Sequence, residues 1–214
     1  ARYEQYALKW GPDEALRLVS WTAIRAGILP ARSLEGIENE ERPDLVAELV
    51  PLWGRKLGSE RSREAPSAGW VIAALSDLKE QIQARDLVRF LSLAADLSLP
   101  DSYWRDRILI PTAIRGAIGR CSVKKIEEIG QENAELSRIF TKLRSLPEPD
   151  RQIPFTRDQV KLEIADLKSL EDNGAIVREG EDYYMPEIFR VGLGFRLPRG
   201  ARPRVMTLAR GTKR

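Results

Sequence analysis

The stretch that most constrains the fold of this chain is residues 153–195, IPFTRDQVKLEIADLKSLEDNGAIVREGEDYYMPEIFRVGLGF. Apolar residues recur in it at intervals of three and four, which predicts one face of a helix. These residues are Val160, Ile164, Leu167 and Leu170. Thr156 stands at the expected N-cap, and Gln159 three residues later would complete a capping box. Asn173-Gly174 predicts the end of the helix, because glycine adopts the left-handed conformation without a Cβ penalty.

Two short apolar runs follow this predicted helix. They occupy residues 175–177 and 183–185 and flank a polar turn, EGED, at residues 179–182, which predicts a two-stranded hairpin. A helix followed by a hairpin is the second half of a winged helix. We therefore predict a winged-helix domain over residues 122–195.

The segments before this stretch favour helices. Residues 111–118 predict a short helix, Ser122 is the expected cap of a second helix over residues 123–130, and Asn133 is the expected cap of a third over residues 134–145. The predicted fold class is mainly α: a helical bundle followed by a winged-helix module with a small β-hairpin.

The bundle is assigned to residues 1–121 and resembles a helical lid. Within it, residues 1–10 alternate loosely between polar and apolar and are a possible strand of an upstream sheet. The chain begins with Ala1, which favours a fragment of a longer protein. Residues 196–214 are assigned to a basic flexible tail.

The absence of histidine excludes several kinds of chemistry. Without it there are no His general bases, no Ser-His-Asp or Cys-His arrangements and none of the common zinc sites. Cys121 is the single cysteine, and with no base to activate it a small buried residue is expected there. One cysteine also rules out an intrachain disulfide, which favours a reducing cytoplasm. No apolar run approaches the roughly 20 residues that span a bilayer, so no membrane partner is expected.

Charge is distributed unevenly along the chain. The tail has seven basic residues and no acidic one, so its +7 taken from the net +3 leaves residues 1–195 at −4. The tail could contact nucleic acid nonspecifically, bind an acidic protein surface, or be a disordered solubilising terminus. Its basic residues are Arg196, Arg199, Arg202, Arg204, Arg210, Lys213 and Arg214.

DNA reading by the winged helix is the alternative function, and charge argues against it. The predicted helix over residues 157–173 has three basic residues against five acidic ones, and the turn of the hairpin is acidic too. Phosphates supply much of the affinity for DNA, so a reading helix is expected to be basic. We therefore predict that the winged helix contacts protein, with a DNA-binding regulator using the wing and the tail as the alternative.

Among the predicted loops, the one over residues 54–69 has the composition most suited to binding a ligand. It holds three Gly, three Ser and four cations, Arg55, Lys56, Arg61 and Arg63, and Arg85 follows near the start of a helix. A cation on a helical lid can reach the phosphates of a nucleotide bound by a neighbouring domain. The alternative is surface charge, or an ion pair of Arg61 or Arg63 with Glu64. No phosphate-binding loop of the Gly-x-x-x-x-Gly-Lys-Ser/Thr type is present.

Four tracts of the chain resemble a known family. They are LKWGPDEALRLVSW, LWGRKLGSERSREA, WVIAALSDLKEQIQARDLVRFL and the terminal YYMPEIFRVGLGF. Together they resemble the C-terminal part of large bacterial P-loop ATPases, the ParA-like and STAND-like signalling ATPases. The resemblance covers most of residues 3–195.

The resemblance implies the end of an ATPase domain, a helical lid and a winged helix. The Walker motifs and the ATP-Mg site would then lie upstream, so no cofactor and no catalytic residue is expected in this chain. It also implies that Arg85 is a lid residue near the nucleotide of the parent. A further alternative is an enzyme fragment in which Arg63 or Arg85 completes the nucleotide site. The expected partner is the upstream ATPase domain or another protein, and the expected function is regulation. Whether this chain alone is an enzyme stays open.

Overall fold

The computed structural model describes residues 10–78, 80–99 and 103–197. The predicted strand over residues 1–10 lies outside the described residues except for Trp10, as do all tail residues beyond 197. The fold is mainly α with one small antiparallel sheet, so the predicted fold class is confirmed at this level. The helices are α1 Pro12–Arg25, α2 Leu34–Glu38, α3 Arg42–Glu48, α4 Val50–Trp53, α5 Ser67–Leu75, α6 Ala84–Ser98, α7 Pro111–Glu132, α8 Ala134–Ser145, α9 Arg157–Val160, α10 Ile164–Asp172 and α11 Glu187–Leu193.

The chain divides into two compact units. Unit 1 consists of Ala1–Ile72 and Glu80–Ala117, and unit 2 consists of Ala73–Lys79 and Ile118–Arg214. The predicted domain boundary after Cys121 stays a prediction, since compactness alone does not show where an independent domain ends.

Unit 1 is built around α1. Pro12 fixes the first turn, where Asp13 and Glu14 favour the positive end of the helix dipole. Its apolar side packs against α2, α3 and α6. The core formed there is closed by fully buried Trp53 and Phe90. The polar residues 31–43 are in part helical, because Ser33 caps α2 by accepting a hydrogen bond from the Gly36 amide, 3.2 Å away.

The larger segment of unit 2 begins within α7, where one prediction is wrong. Ser122 does not cap a helix, since α7 is a single helix of 22 residues that passes through it. Its hydroxyl serves a tertiary role instead: it is buried, donates to the Ile188 carbonyl and accepts from the Gly192 amide at 2.6 Å. The predicted cap at Asn133 is confirmed, because its side chain accepts from the Leu136 amide at 3.1 Å.

The helix predicted over residues 157–173 is also divided. Lys161 adopts a left-handed conformation, φ +53°, and separates α9 from α10. The capping box is wrong as well, since Thr156 makes no side-chain cap bond and Gln159 donates to the Asp150 carbonyl at 2.8 Å. The turn lets Leu162 reach the core, where it is buried. Periodicity missed the break because apolar residues continue through it.

The hairpin is confirmed and extended. Strand β1, Val177–Glu179, pairs antiparallel with β2, Asp182–Tyr184, and Gly180 takes a positive φ of +63° in the two-residue turn. Phe155 adds an antiparallel bridge to Tyr183, and the two rings stack at 5.7 Å. After α8 the chain therefore runs through the bridging residue Phe155, then α9, the turn at Lys161, α10 and the hairpin. The predicted stop at Asn173-Gly174 is confirmed by the C-cap and by φ +69° at Gly174.

The hairpin leads into α11, which lies very close to α7. Gly192 permits the approach, since a Cβ there would lie 2.8 Å from the Ser122 carbonyl carbon and 2.6 Å from Ile126 Cδ1. The Gly192-Leu193-Gly194 tract thus ends a helix, with Gly194 in the left-handed C-cap position.

Candidate functional site

We define residues 54–66 as the arginine loop. Lys56 and Pro66 form an antiparallel bridge across its base, and the Leu57 amide donates to the Ala65 carbonyl at 3.0 Å. Leu57 and Ala65 are both buried, so the apolar residues of the loop point inward. The loop predicted from glycine and serine is therefore an ordered structure with polar residues outside.

Arg107 holds this loop from beneath. Its guanidinium donates from Nη1 to the Lys56 carbonyl at 2.6 Å and from Nη2 to the Gly58 carbonyl at 3.3 Å, and its side chain is 1% exposed. Gly54 gives it room, because a Cβ at that position would lie 2.2 Å from Arg107 Cζ. The arginine is thus a fixed anchor for the backbone of the loop.

The guanidinium of Arg107 also has a carboxylate partner and a stacking partner. Its Nη2 donates to the Asp106 carboxylate at 2.6 Å, and this hydrogen bond holds the pKa of Asp106 below its ordinary value. The guanidinium lies over the Trp104 ring, 4.5 Å from its centroid. Because cation, stacking ring and carbonyls all converge, the group is structural and is not available to a ligand.

The remaining cations of the loop have different surroundings. Lys56 donates to the Ser62 carbonyl at 2.9 Å. Arg55, Arg61 and Arg63 are exposed, and within residues 10–78, 80–99 and 103–197 their side chains have no ion pair or hydrogen bond. The suggested pairing of Arg61 or Arg63 with Glu64 is wrong, because Glu64 pairs with Arg115 at 2.9 Å.

Arg85, the other predicted nucleotide contact, lies on a separate element. It is exposed in the first turn of α6, whereas Arg63 lies on the arginine loop. The roles of Arg63 and Arg85 toward nucleotide stay predictions. Of the seven basic residues of the tail, the described residues include Arg196, which is exposed, pairs with Glu148 and hydrogen-bonds through its backbone to Arg151 and Ile153.

Unit 2 presents a mixed surface on α10, which we call the α10 face. Ile164 is 67% exposed, and Ala165, Lys168 and Asp172 are exposed beside it. Residues 164, 168 and 172 are four apart and so form one stripe of the helix. The hairpin tip is exposed and acidic at Glu179 and Glu181.

Asp166 does not belong to that surface. It is buried and receives hydrogen bonds from Arg138 and from Lys142, the latter at 3.2 Å, both on α8. The Arg138 guanidinium lowers the pKa of the Asp166 carboxyl, burial opposes this, and Lys142 reinforces the lowering. The charge count of the sequence therefore overstated how acidic α10 is toward solvent.

The lowered pKa of Asp166 predicts an acid-dependent loss of stability. A depressed carboxyl pKa contributes stability that is present above its unfolded pKa of about 4 and is lost as the pH falls through the folded value. We expect Asp166→Asn to unfold at lower urea than the unmodified chain at neutral pH, with the difference shrinking below about pH 4. Asp158→Asn, at an exposed position of α9, is the control and is expected to change stability by less than ~0.5 kcal/mol. An Asp166→Asn difference that stays constant with pH would contradict the assignment.

Two residues with structural roles, Arg107 and Asp166, were not found from the sequence, and Ser122 was given the wrong role. For Arg107 the signal was the run YWRDR, in which an aromatic and a carboxylate stand within three residues of the arginine. For Asp166 the only signal was its position on the apolar side of its helix. Cys121, in contrast, is buried as predicted.

The residues that the structure describes hold no group of three or more His, Cys, Asp or Glu side chains able to bind a metal. They also include no helix long and apolar enough to cross a membrane. That ATP-Mg binds in the parent and not in this chain stays a prediction, since the sequence shows only that no Gly-x-x-x-x-Gly-Lys-Ser/Thr loop is present. No protein-family description, curated protein or solved structure matches the chain.

Proposed function

We propose that this chain is a non-catalytic regulatory region of a larger, cytoplasmic P-loop ATPase. In this proposal residues 122–195 form a winged helix that contacts another protein surface, within the same polypeptide or in a partner. The observation that favours it most is the α10 face, where a large aliphatic side chain, Ile164, stands exposed.

Helix and hairpin order support the winged helix. A short helix, a turn at Lys161 and a second helix precede the two strands, and Phe155 pairs with Tyr183 of β2. If this order is that of a winged helix, α10 corresponds to the helix that reads DNA in DNA-binding members of that class. Its exposed residues Ile164, Ala165 and Lys168 offer one cation, and the hairpin tip offers carboxylates.

This surface is poorly suited to DNA, since phosphate neutralisation requires several cations. Burial of an aliphatic side chain at the centre of a polar rim is the usual composition of a protein interface. The DNA-binding regulator that uses wing and tail therefore remains the second choice, and no described contact favours it.

The test uses the full polypeptide that contains this chain and, on our proposal, an upstream P-loop domain. Ile164→Asp is expected to change its ATP turnover by at least about fivefold, the size of a modest coupling free energy between sites. Leu34→Asp is the control, because Leu34 is 60% exposed on α2 in the other unit, and it is expected to leave turnover unchanged.

Three results would overturn the proposal. The first is a polypeptide that does not bind ATP. The second is an Ile164→Asp variant that keeps normal circular dichroism and normal turnover. The third is salt-dependent binding of duplex DNA that Lys168→Gln abolishes, which would assign the α10 face to DNA.

A further inference from the structure

Charge is segregated within unit 1. Residues 10–53 contain four arginines and eight carboxylates, whereas the arginine loop contains four cations and two carboxylates. One of those two, Glu64, is already paired with Arg115. The positive character of the unit is therefore concentrated on the arginine loop.

The exposed arginines stand on a backbone that is fixed before any ligand arrives. Bonds from Arg107 hold the carbonyls of Lys56 and Gly58, and Lys56 holds the carbonyl of Ser62 between Arg61 and Arg63. A guanidinium is a planar fork that matches phosphate oxygens bidentately. A loop ordered in this way loses less entropy on binding than a mobile one.

An exposed aromatic side chain, Tyr103, is linked to this loop through Trp104 and Arg107. Tyr103 is 83% exposed and meets Trp104 edge to face at 5.6 Å, and Trp104 in turn lies under the Arg107 guanidinium that holds the loop. Arg105 lies in the sequence between Trp104 and Arg107. It is exposed, and its side chain has no ion pair within the described ranges. Exposed arginines and an exposed ring thus occur on adjoining segments.

We propose that Arg55, Arg61, Arg63 and Arg105, together with Tyr103, bind single-stranded nucleic acid. The arginines take phosphates and the tyrosine ring stacks on an unpaired base, the combination on which sequence-independent single-strand binding rests. An acidic protein is the less favoured partner, because the outer side of the loop offers no apolar centre for an interface to bury. A duplex is less favoured because its base faces are covered. This proposal is independent of the winged-helix function.

The experiment measures fluorescence anisotropy of a labelled single strand of about 16 nucleotides with the full chain at several salt concentrations. The double variant Arg61→Gln with Arg63→Gln is expected to reduce the slope of log affinity against log salt by about 1.4, since each single-strand phosphate contact contributes about 0.7. Tyr103→Ala is expected to weaken the single strand about fivefold or more and to leave a duplex of equal length unchanged.

Two matched variants separate this site from other cations. Arg25→Gln with Arg120→Gln removes the same charge from exposed positions elsewhere and is expected to change the slope little. Arg202→Gln with Arg204→Gln removes it from the basic tail. Absence of binding at about 50 mM salt would overturn the proposal. The proposal would also be overturned if the tail variant lost binding while the Arg61→Gln with Arg63→Gln variant bound the strand fully. It would be overturned as well if poly-glutamate displaced the labelled strand as readily as the unlabelled strand does.

Discussion

Replacing Arg107 with methionine is expected to lower the free energy of unfolding of the chain by about 3 kcal/mol or more. The change leaves the buried carbonyl of Trp53 and the partly buried carbonyls of Lys56 and Gly58 without their shared donor, and an unsatisfied buried group costs roughly 1–3 kcal/mol. Methionine fills much of the same volume, so packing alone does not explain such a loss. Urea unfolding followed by circular dichroism measures it.

Arg105→Met is the matched control for this change. It removes the same kind of side chain two residues away, at an exposed position, and surface substitutions of that kind stay within about 0.5 kcal/mol. If the two variants unfold at the same urea concentration, the anchoring role of Arg107 is wrong.

Gly192→Ala is expected to destabilise unit 2 by about 2 kcal/mol. The added Cβ would lie 2.8 Å from backbone of Ser122, which cannot swing aside as a side chain can. Separating the helices also strains the hydroxyl bonds of Ser122 to Ile188 and Gly192. Overpacking costs roughly 1–3 kcal/mol, and with the weakened bonds it exceeds the ~1 kcal/mol that alanine gains over glycine inside a helix.

Gly119→Ala, on the neighbouring helix α7, is expected to change stability in the opposite direction or not at all. Its Cβ would meet Val191 Cγ1 at 3.7 Å, which is ordinary contact, so the helix preference for alanine acts unopposed. We expect stability to be unchanged or raised by up to ~1 kcal/mol. Thermal unfolding of the two variants side by side decides the matter: equal shifts in the same direction would contradict the close approach at Gly192.

The sequence was a good guide to elements and a poor guide to what separates them. The hairpin at residues 177–184 has strong local signals, a glycine turn between apolar runs, and these were enough to predict it. The turn at Lys161 has none, because a lysine in the left-handed conformation is set by the burial of Leu162 beside it. Ser122 is a second example. Serine is a common helix-capping residue, but here it lies in the middle of α7 and hydrogen-bonds to α11.

The candidate sites divide in the same way. The cations of the arginine loop were visible in the sequence because glycine and serine surround them. The sequence did not show which of these cations form ion pairs, because Glu64, which is next to Arg63 in sequence, pairs instead with Arg115, about fifty residues away. The net charge of α10 was misjudged for a related reason, as Asp166 is neutralised by residues of another helix.

The anchor at Arg107 also dictates an order of events during folding. Its partners Trp53, Lys56 and Gly58 precede it by 49 to 54 positions, so these bonds close long loops and form only after much of the intervening chain has condensed. On a ribosome, residues 54–66 emerge well before Arg107 does. The nascent loop therefore has its own local bonds but lacks the Arg107 anchor until the later segment arrives.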